Sequence, residues 1–241
     1  QVERARAMGL EPMMATELEF YLFEEGFEAL WDRRWARPTP MVRFNNDYGL
    51  LGSLKEEGVM RPLRNALHAS GVMVENTKGE ADAGQHEVNV RYSDALDTAD
   101  MHSIVKTATK ACAAAAGRSV TFMAKYDTAR AGSSSHIHQS LWKDGANAFR
   151  GEEGEHGMSP LMRSYLAGLL AHATETTALL APYVNSYKRF CTGMFAPTKA
   201  VWSCDNRTAG FRVCGADTNA VRVECRIPGS DANPYLACAA L

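Results

Sequence analysis

The stretch ATELEFYLF, residues 15–23, alternates acidic and apolar side chains before it ends in an aromatic and apolar run. Its composition predicts a β-strand, in which every second side chain lies on the same face. Glu17 and Glu19 therefore point one way, while Leu18 and Phe20 point the other way. We expect this strand to place two carboxylates on one face of a sheet and to pack its other face on a core.

Two further stretches, SSSHIHQSL (133–141) and AVRVECRIPG (220–229), show the same alternation. Their polar positions are His136, His138, Ser140, Arg222, Glu224 and Arg226. Three strands thus build one polar surface that carries carboxylates, imidazoles and guanidiniums together. Such a surface suits divalent cations, phosphate and a carboxylate substrate.

Helices and further strands complete the predicted architecture. We expect helices over 52–70, 93–117 and 160–177, and strands over 72–76, 85–92 and 119–125, with short strands joined by tight turns in the last forty residues or so. A Ser93 or Asp94 cap and Gly117 bound the second helix, and Ser159 followed by Pro160 starts the third. The predicted fold class is α+β, with a largely antiparallel sheet and helices covering it.

The composition is that of an ordinary globular protein, with 241 residues, 46% hydrophobic and 22% charged. A formal net charge of -2 argues against a nucleic-acid surface, which needs a clustered excess of Lys and Arg. None of the six cysteines forms a C-x-x-C pair, which favours free thiols in a reducing compartment.

No apolar run approaches the roughly 20 residues of a membrane span, and no signal peptide is recognisable. We therefore expect a cytoplasmic protein that has no membrane partner. The chain begins inside an amphipathic helical pattern and stops as another helix begins, so we expect residues 1–241 to be part of a longer protein.

The acidic residues form a candidate metal site. Glu80 and Glu87 flank the turn GEADAGQHE, in which glycines let the chain bend and bring the two acids together. Taken alone, each glutamate could be an exposed strand residue, and each histidine could be a structural one. Together they suit two sites for a hard cation such as Mg²⁺ or Mn²⁺. The complete candidate set is Glu17, Glu19, Glu80, Glu87, His136 and Glu224.

Five arginines in the last fifty residues or so add candidate anion ligands. They are Arg189, Arg207, Arg212, Arg222 and Arg226. Some could form surface ion pairs, but guanidinium groups also bind carboxylates and phosphates and can stabilise a phosphoryl group during its transfer. The chain has no G-x-x-x-x-G-K-[ST], G-x-G-x-x-G or H-R-D motif, so we expect neither a P-loop NTPase nor a protein kinase.

At this point the sequence resembles the glutamine synthetase family over its whole length. The motifs TELEFYLF, GQHEVNVRY, GSSSHIHQSL, NSYKRF, NR, RVECRIPG and NPYLACAAL follow the order and approximate spacing of that family. The resemblance implies a curved, largely antiparallel sheet that cradles the active site, flanked by helices as in guanidino kinases. It also implies that ATP phosphorylates the γ-carboxylate of glutamate and that an amine then displaces the phosphate.

The resemblance implies metal and substrate roles residue by residue. One cation would be held by Glu19, Glu87 and His136 with Glu80 nearby, and another by Glu17 and Glu224 with Glu80 or Glu87 shared. Arg189 and Arg226 would grip glutamate, helped by the backbone at Gly132, and Arg207 would face the γ-phosphoryl group. The residues implied to act in catalysis are Arg207, Glu80 and Arg226.

Other positions match the nucleotide side of the family's site. They are Glu75, Tyr92, His138, Ser140, Arg212 and Arg222, with Tyr92 as a platform for adenine. The resemblance also implies a homo-oligomeric ring with active sites shared between subunits. The family's small N-terminal β domain and the end of its C-terminal part lie outside residues 1–241, so this segment alone is expected to be inactive.

The sequence departs from ammonia-using members at Phe195. In those enzymes a glutamate six residues after the arginine of NSYKR binds ammonium and takes its proton, whereas GMFAP has an aromatic ring there. Losing that carboxylate disfavours ammonium, and an aromatic face favours an organic amine. Ala131 also replaces a usual asparagine, and no lysine precedes RVE.

These features lead to one main hypothesis and three alternatives. The main hypothesis is an ATP-dependent ligase that joins the γ-carboxylate of glutamate to an alkylamine, an amino alcohol or a polyamine. The alternatives are a glutamine synthetase that uses ammonium, a non-catalytic structural or regulatory relative, and a phosphagen-type guanidino kinase. The non-catalytic alternative predicts lost metal ligands, whereas all six candidates are present.

Overall fold

The longest strand of the protein, β1 (Glu11–Phe23), contains the alternating stretch at residues 15–23. The structure is a computed structural model that describes residues 1–241. The other strands are β2 (Val74–Gly79), β3 (Gln85–Val90), β4 (Ser93–Asp94), β5 (Ser119–Thr121), β6 (Ser135–Lys143), β7 (Ala146–Asn147), β8 (Trp202–Cys204), β9 (Phe211–Cys214) and β10 (Arg222–Cys225). The helices are α1 (Val2–Ala7), α2 (Phe27–Asp32), α3 (Leu50–Ala69), α4 (Ala95–Ala115), α5 (Pro160–Ala171), α6 (Ala173–Leu180), α7 (Val184–Tyr187) and α8 (Pro234–Ala240).

All ten strands belong to one sheet. Seven of them follow the order β2-β3-β1-β6-β10-β9-β8, and β4, β5 and β7 pair at the side of this path. Every pairing between named strands is antiparallel except that of β8 with β9. The α+β class and the largely antiparallel sheet are therefore confirmed.

The apolar face of β1 packs on helices α3 and α4. Leu18, Phe20 and Leu22 are fully or almost fully buried there against apolar residues of both helices. Each large apolar side chain removed from water contributes roughly 1.5–3 kcal/mol before conformational entropy is subtracted. This core buries one face of the sheet, and Glu17 and Glu19 lie on the opposite face.

A second core supports the other half of the sheet. Helices α5, α6 and α8 pack on β6, β9 and β10 through a cluster of nineteen buried residues. Val223 and Cys225 of β10 point into this cluster, so Glu224 between them points to the other face. The two cores together orient all three alternating stretches in the same direction.

The predicted helix boundaries have identifiable caps. The carboxylate of Asp94 accepts hydrogen bonds from the amides of Leu96 and Asp97 at the start of α4. Gly117 follows the end of α4 with a φ of 67°, a conformation that costs glycine little. The hydroxyl of Ser159 caps α5, and Pro160 is its first helical residue.

Four elements differ from the sequence-based expectation, and one of them, the strand expected over 119–125, spans only Ser119–Thr121. The strand expected at 72–76 begins at Val74 and runs to Gly79, because it continues its pairing with β3 up to the tight turn before Gln85. The helix expected over 160–177 is two helices, which meet at His172 with a φ of -109°. Helix α2, which lies between β1 and α3, is not among the elements expected from the sequence.

None of the eight helices combines the length and the apolar character that crossing a membrane requires.

Candidate active site

Strand register brings the polar residues of the three stretches together as direct neighbours. Glu17 lies opposite His136 across the β1–β6 pair, and Glu19 lies opposite Glu87 across the β1–β3 pair. Glu224 lies opposite His138 on one side. Because directly opposed side chains on one face are about 4.5–5.5 Å apart at Cβ, this register makes a compact polar cluster.

The first group of possible metal ligands consists of Glu19, Glu80 and Glu87. One carboxylate oxygen from each of them lies within 4.8 Å of the other two. Burial and the negative charge of Glu19 raise the pKa of Glu80 to about 7, and burial with the charges of Glu17 and Glu19 raises that of Glu87 to about 8. The negative charges of these neighbouring, partly buried carboxylates repel one another. A divalent cation bound between them would relieve this repulsion.

The second group consists of Glu17, Glu87 and His136, again with ligand atoms within 4.8 Å. Nδ1 of His136 lies 3.1 Å from Oε2 of Glu17 and 3.5 Å from Oε1 of Glu224, while its buried Nε2 has no hydrogen-bond partner. A buried ring nitrogen without a partner is costly. It therefore fits a site in which one more ligand, such as a cation, is bound.

The two groups divide the candidate ligands differently from the expected partition. His136 was expected to share a cation with Glu19, but it lies across from Glu17, and Glu19 lies across from Glu87. Glu80 belongs to the group of Glu19, and Glu87 belongs to both groups. The register of β1 with β3 and β6 determines which side chains are neighbours, and this register cannot be derived from the alternation in the sequence.

Lys78 lies among these carboxylates and was not foreseen. Its ammonium group contacts Glu87 and lies 3.6 Å from Oε1 of Glu80, and it lies 5.8 Å from the centre of the Tyr48 ring. Burial is the largest single influence and lowers its pKa, but the charge and hydrogen bond of Glu87, together with the charges of Glu80 and Glu17, raise it overall. Lys78 and Glu80 are two positions apart in the sequence, so the every-second pattern could have revealed this residue.

A third group joins His138, Cys214 and Glu224. The thiol of Cys214 lies 3.4 Å from Oε2 of Glu224. Burial, together with the charge of Glu224, raises the pKa of Cys214 to about 12, so the thiol stays protonated at neutral pH. Only the thiolate is a good metal ligand, so this group is a poor metal site.

Arginines surround Glu224. Arg226 donates to its Oε1, and Nη1 of Arg212 donates to its Oε2 over 3.0 Å. Burial raises the pKa of Glu224, but the charges of His136, His138 and Arg226 outweigh burial and lower it to about 2. Arg207 is exposed, and its Nη1 lies 3.3 Å from the hydroxyl of Tyr48. Glu224 is therefore ionised at neutral pH, and both of its carboxylate oxygens accept hydrogen bonds from arginines.

A cavity of about 200 Å³ lies over these groups. Its walls include Gly132, Met194 and Phe195, besides the side chains of the two carboxylate groups. Phe195 is 63% exposed and has a φ of 56°, which is unusual for an aromatic residue. The candidate residues in the lining are Glu17, Glu19, Glu80, Glu87, Gly132, His136, Phe195, Arg207, Arg212 and Arg226, and the lining residues not foreseen include Asp47, Tyr48 and Lys78.

Arg189, which is expected to grip glutamate, lies beneath Gly132 and outside the cavity lining in this structure. It is 1% exposed and lies outside the cavity lining, and its Nη2 donates to the carbonyls of Arg226, Ile227 and Pro228 within 2.9 Å. A Cβ at Gly132 would overlap the Cγ of Arg189, so the arginine runs directly beneath Gly132. In this arrangement Arg189 supports the cavity floor and makes no contact across it.

A second cavity of about 520 Å³ adjoins the first, because Glu17 lines both. Tyr92 and Trp142 form one wall, with ring centres 5.9 Å apart and planes at 27°. Nε1 of Trp142 donates to the hydroxyl of Ser140, and Nε of Arg222 donates to Nδ1 of His138, both over 3.0 Å. The expected nucleotide-side residues in its lining are Glu75, Tyr92, His138, Ser140 and Arg222.

Two outcomes were not foreseen on this side of the site. Arg212 was expected beside the nucleotide, but it lines the first cavity because Glu224 and Asp205 hold its guanidinium. Trp142 was missed, although it follows His136, His138 and Ser140 in the same alternation. A larger apolar cavity of about 580 Å³, bordered by α1 and α8, contains none of the candidate residues.

Comparison with known proteins gives one family and several relatives. The family model described as the catalytic domain of glutamine synthetase matches residues 1–241. The chain is 46% identical over 242 residues to γ-glutamylethanolamide synthetase of Streptomyces coelicolor, which covers 100% of the chain and 51% of that protein. It is 36% identical over 240 residues to glutamate–isopropylamine ligase of a Pseudomonas species, covering 99% and 52%. It is 38% identical over 243 residues to glutamine synthetase of Thermus thermophilus, covering 100% and 53%.

A solved structure described as GmaS without ligand has the same fold. The TM-score is 0.85 at 30% sequence identity, and the match covers 99% of this chain and 53% of that one. The chain thus spans about half the length of the relatives it matches.

Proposed function

The chain belongs to the glutamine synthetase family, and from this premise we propose that it forms the catalytic part of an ATP-dependent ligase that joins the γ-carboxylate of glutamate to an organic amine. In this reaction ATP phosphorylates the carboxylate, and the amine displaces phosphate to leave a γ-glutamyl amide. The larger cavity would hold the nucleotide, and the smaller one would hold glutamate and the amine.

Phe195 is the observation that carries the choice of an organic amine. Its exposed ring lines the smaller cavity, and residues 191–201 around it contain no acidic residue. An aromatic face attracts an alkylammonium group and its carbons, whereas ammonium gains more from a carboxylate. The names of two relatives, an ethanolamide synthetase and an isopropylamine ligase, also favour this choice.

The two carboxylate groups fit the divalent cations that the family uses. We propose two or more Mg²⁺ or Mn²⁺ ions, held by Glu19, Glu80 and Glu87 and by Glu17, Glu87 and His136, with Glu224 nearby. When bound, such ions would reduce the repulsion between a triphosphate and an anionic acceptor.

The chain's own residues would do the rest of the work. Arg207 and Arg226 project into the smaller cavity, where guanidiniums can bind the glutamate carboxylate and stabilise the phosphoryl group. Tyr92 and Trp142 offer an aromatic wall against which adenine can stack. His138, Ser140 and Arg222 supply polar groups beside it.

Phosphate release by the full-length enzyme with ATP and glutamate tests this proposal. Ammonium, methylamine, ethanolamine, putrescine and spermine are offered in turn at equal concentration. We expect a higher kcat/KM with at least one organic amine than with ammonium. Activity with millimolar ammonium alone would identify a glutamine synthetase instead. Binding of Mg²⁺ and ATP without turnover of any amine would identify a non-catalytic relative.

The ring assembly with shared active sites stays a prediction from the family resemblance, and the cytoplasmic location stays a prediction from the sequence composition. Both cavities are open to solvent at their rims, so a neighbouring subunit could complete them. Light scattering of the full-length protein would measure the number of subunits.

A further inference from the structure

A short loop, residues 46–49, borders the smaller cavity and packs against α3 and β2. Asn46 is 2% exposed and is wedged between Gly52 of α3 and Gly79 of β2, where a Cβ at either glycine would overlap its side chain. The amide of Tyr48 donates to the carbonyl of Gly79 over 3.1 Å. The loop is therefore fixed to the end of β2, next to Glu80.

Asp47 is the acidic residue of this loop, and it lines the cavity. Of the five carboxylates in the lining, it is the one whose side chain makes neither an ion pair nor a hydrogen bond. Glu17 pairs with histidines, Glu19 accepts from Gln85 and Ser134, and Glu80 and Glu87 face Lys78. Asp47 thus has the carboxylate that is free to bind an incoming cation.

The neighbours of Asp47 fit the rest of an alkylammonium ion. Tyr48, Met194 and Phe195 line the same cavity and offer aromatic and thioether surface to carbon atoms. Besides burial and the charge of Glu19, the charge of Asp47 contributes to the raised pKa of Glu80. An anionic group beside apolar walls discriminates an amine from glutamate or phosphate, which are anions.

We propose that Asp47 binds the ammonium group of the amine substrate, while Tyr48 and Phe195 contact its carbon chain. The proposal rests on the proposed function, because it names the amine subsite of that reaction. The substrate class is a primary alkylammonium ion. Asp47 supplies from the 46–49 loop the charge that the Phe195 loop lacks.

The Asp47→Asn variant of the full-length enzyme tests this assignment. We expect the KM for methylamine or ethanolamine to rise roughly tenfold to a hundredfold, since a charge-assisted contact is lost. The KM values for ATP and glutamate stay unchanged. The KM for hydroxylamine, a nucleophile that is largely uncharged at neutral pH, also stays unchanged. Asp47→Glu should restore part of the affinity for the charged amines.

Two further variants sharpen the test. Asp32→Asn is the matched control, since Asp32 is exposed and makes no side-chain contact; its kinetics should equal those of the wild type. Gly52→Ala should displace Asn46 and raise the KM for charged amines without removing the carboxylate.

Three results would overturn the assignment of Asp47. They are an unchanged KM for charged amines in Asp47→Asn, an equal rise for hydroxylamine, and a rise for ATP or glutamate of the same size. A wild-type enzyme that uses ammonium alone would refute the proposed function instead. In that case the KM for ammonium in Asp47→Asn would still decide whether Asp47 binds the cationic nucleophile.

Discussion

Phe195 shows how one backbone conformation can set chemistry at the scale of a residue. Its φ of 56° and that of 77° at Gly193 turn the chain at the rim of the smaller cavity. A left-handed conformation is disfavoured for a bulky residue, so its presence beside a candidate site suggests a functional purpose. The turn leaves the ring exposed over the cavity instead of packed in a core.

Replacing Phe195 by glutamate should change the choice of amine. The new carboxylate would attract ammonium, so kcat/KM for ammonium should rise at least about tenfold while that for organic amines falls. Phosphate release with each amine measures this. Trp31→Glu serves as the control, because Trp31 is also an exposed aromatic residue but does not line the smaller cavity. Unaltered selectivity in Phe195→Glu would show that this position does not govern the amine.

Lys78 places a positive charge inside the carboxylate cluster. It contacts Glu87 and lies close to Glu80, the residues that we propose as ligands of one cation. The ammonium group of the Lys78 side chain offsets part of the repulsion between the carboxylates when no metal ion is bound. The same charge repels a divalent ion that enters the site.

Removing this charge should tighten metal binding. For Lys78→Met we expect the dissociation constant of Mn²⁺ to fall about tenfold, because the ion no longer competes with an ammonium group. Calorimetry of Mn²⁺ binding gives the value directly, and Lys143→Met, at an exposed lysine of β6, is the control. Weaker binding in Lys78→Met would mean that Lys78 mainly holds the carboxylates in place.

At the scale of elements, the segment between β1 and α3 illustrates structure that carries no periodic signal. Its helix α2 is followed by Arg34, Trp35 and Arg37 in left-handed conformations. Glu25 ties the segment together, because its carboxylate accepts from the amide and hydroxyl of Thr39 and from Arg33. These contacts span fourteen residues and lie outside any helix or strand.

Glu25 should make the stability of this segment depend on acidity. Burial is the largest single influence and raises its pKa, but the hydrogen bonds from Thr39 and Arg33 together outweigh burial and lower the pKa from 4.5 to about 2. Its contribution is therefore complete above about pH 4.5 and is lost as the pH falls toward about 2, where the folded state also takes up the proton. Glu25→Gln should lose less stability than the wild type over this range.

Urea unfolding at a series of acidic pH values measures this difference. Glu28→Gln, at an exposed glutamate of α2, is the matched control and should follow the wild-type curve. Parallel curves for Glu25→Gln and the wild type would contradict the role of these hydrogen bonds.

At the scale of the whole molecule, two cores bury one face of the sheet, and the acidic residues lie close together on its other face. The helices α3 and α4 lie behind β1, and α5, α6 and α8 lie behind β6, β9 and β10. Glu17, Glu19, Glu80 and Glu87 are thereby held close together. Like charges in a partly buried cluster oppose folding unless cations bind to them.

Metal ions should therefore stabilise the whole fold. A hundredfold excess of Mn²⁺ over its dissociation constant should raise Tm by about 5–10 °C, and a chelator should reverse the gain. Glu80→Gln should melt higher than the wild type without metal, because one negative charge is gone, and should gain less from Mn²⁺. Glu153→Gln, in an exposed loop, is the control. Equal gains in all three proteins would place the metal elsewhere.

The sequence by itself determined the face of the sheet on which each strand residue lies. An alternation with a period of two is a local property, so Glu17, Glu19, His136, His138 and Glu224 could be identified as one polar surface. The same alternation also predicts two residues that were missed. Trp142 lies two positions after Ser140, and Lys78 lies two positions before Glu80. Helix caps at Asp94 and Ser159 were equally local and were confirmed.

Only the tertiary structure decided which of these residues meet. Strand register set Glu17 against His136 and Glu19 against Glu87. Packing beneath Gly132 turned Arg189 away from the cavity. Such contacts join residues far apart in the chain, and their energies depend on the whole fold, which no local pattern encodes.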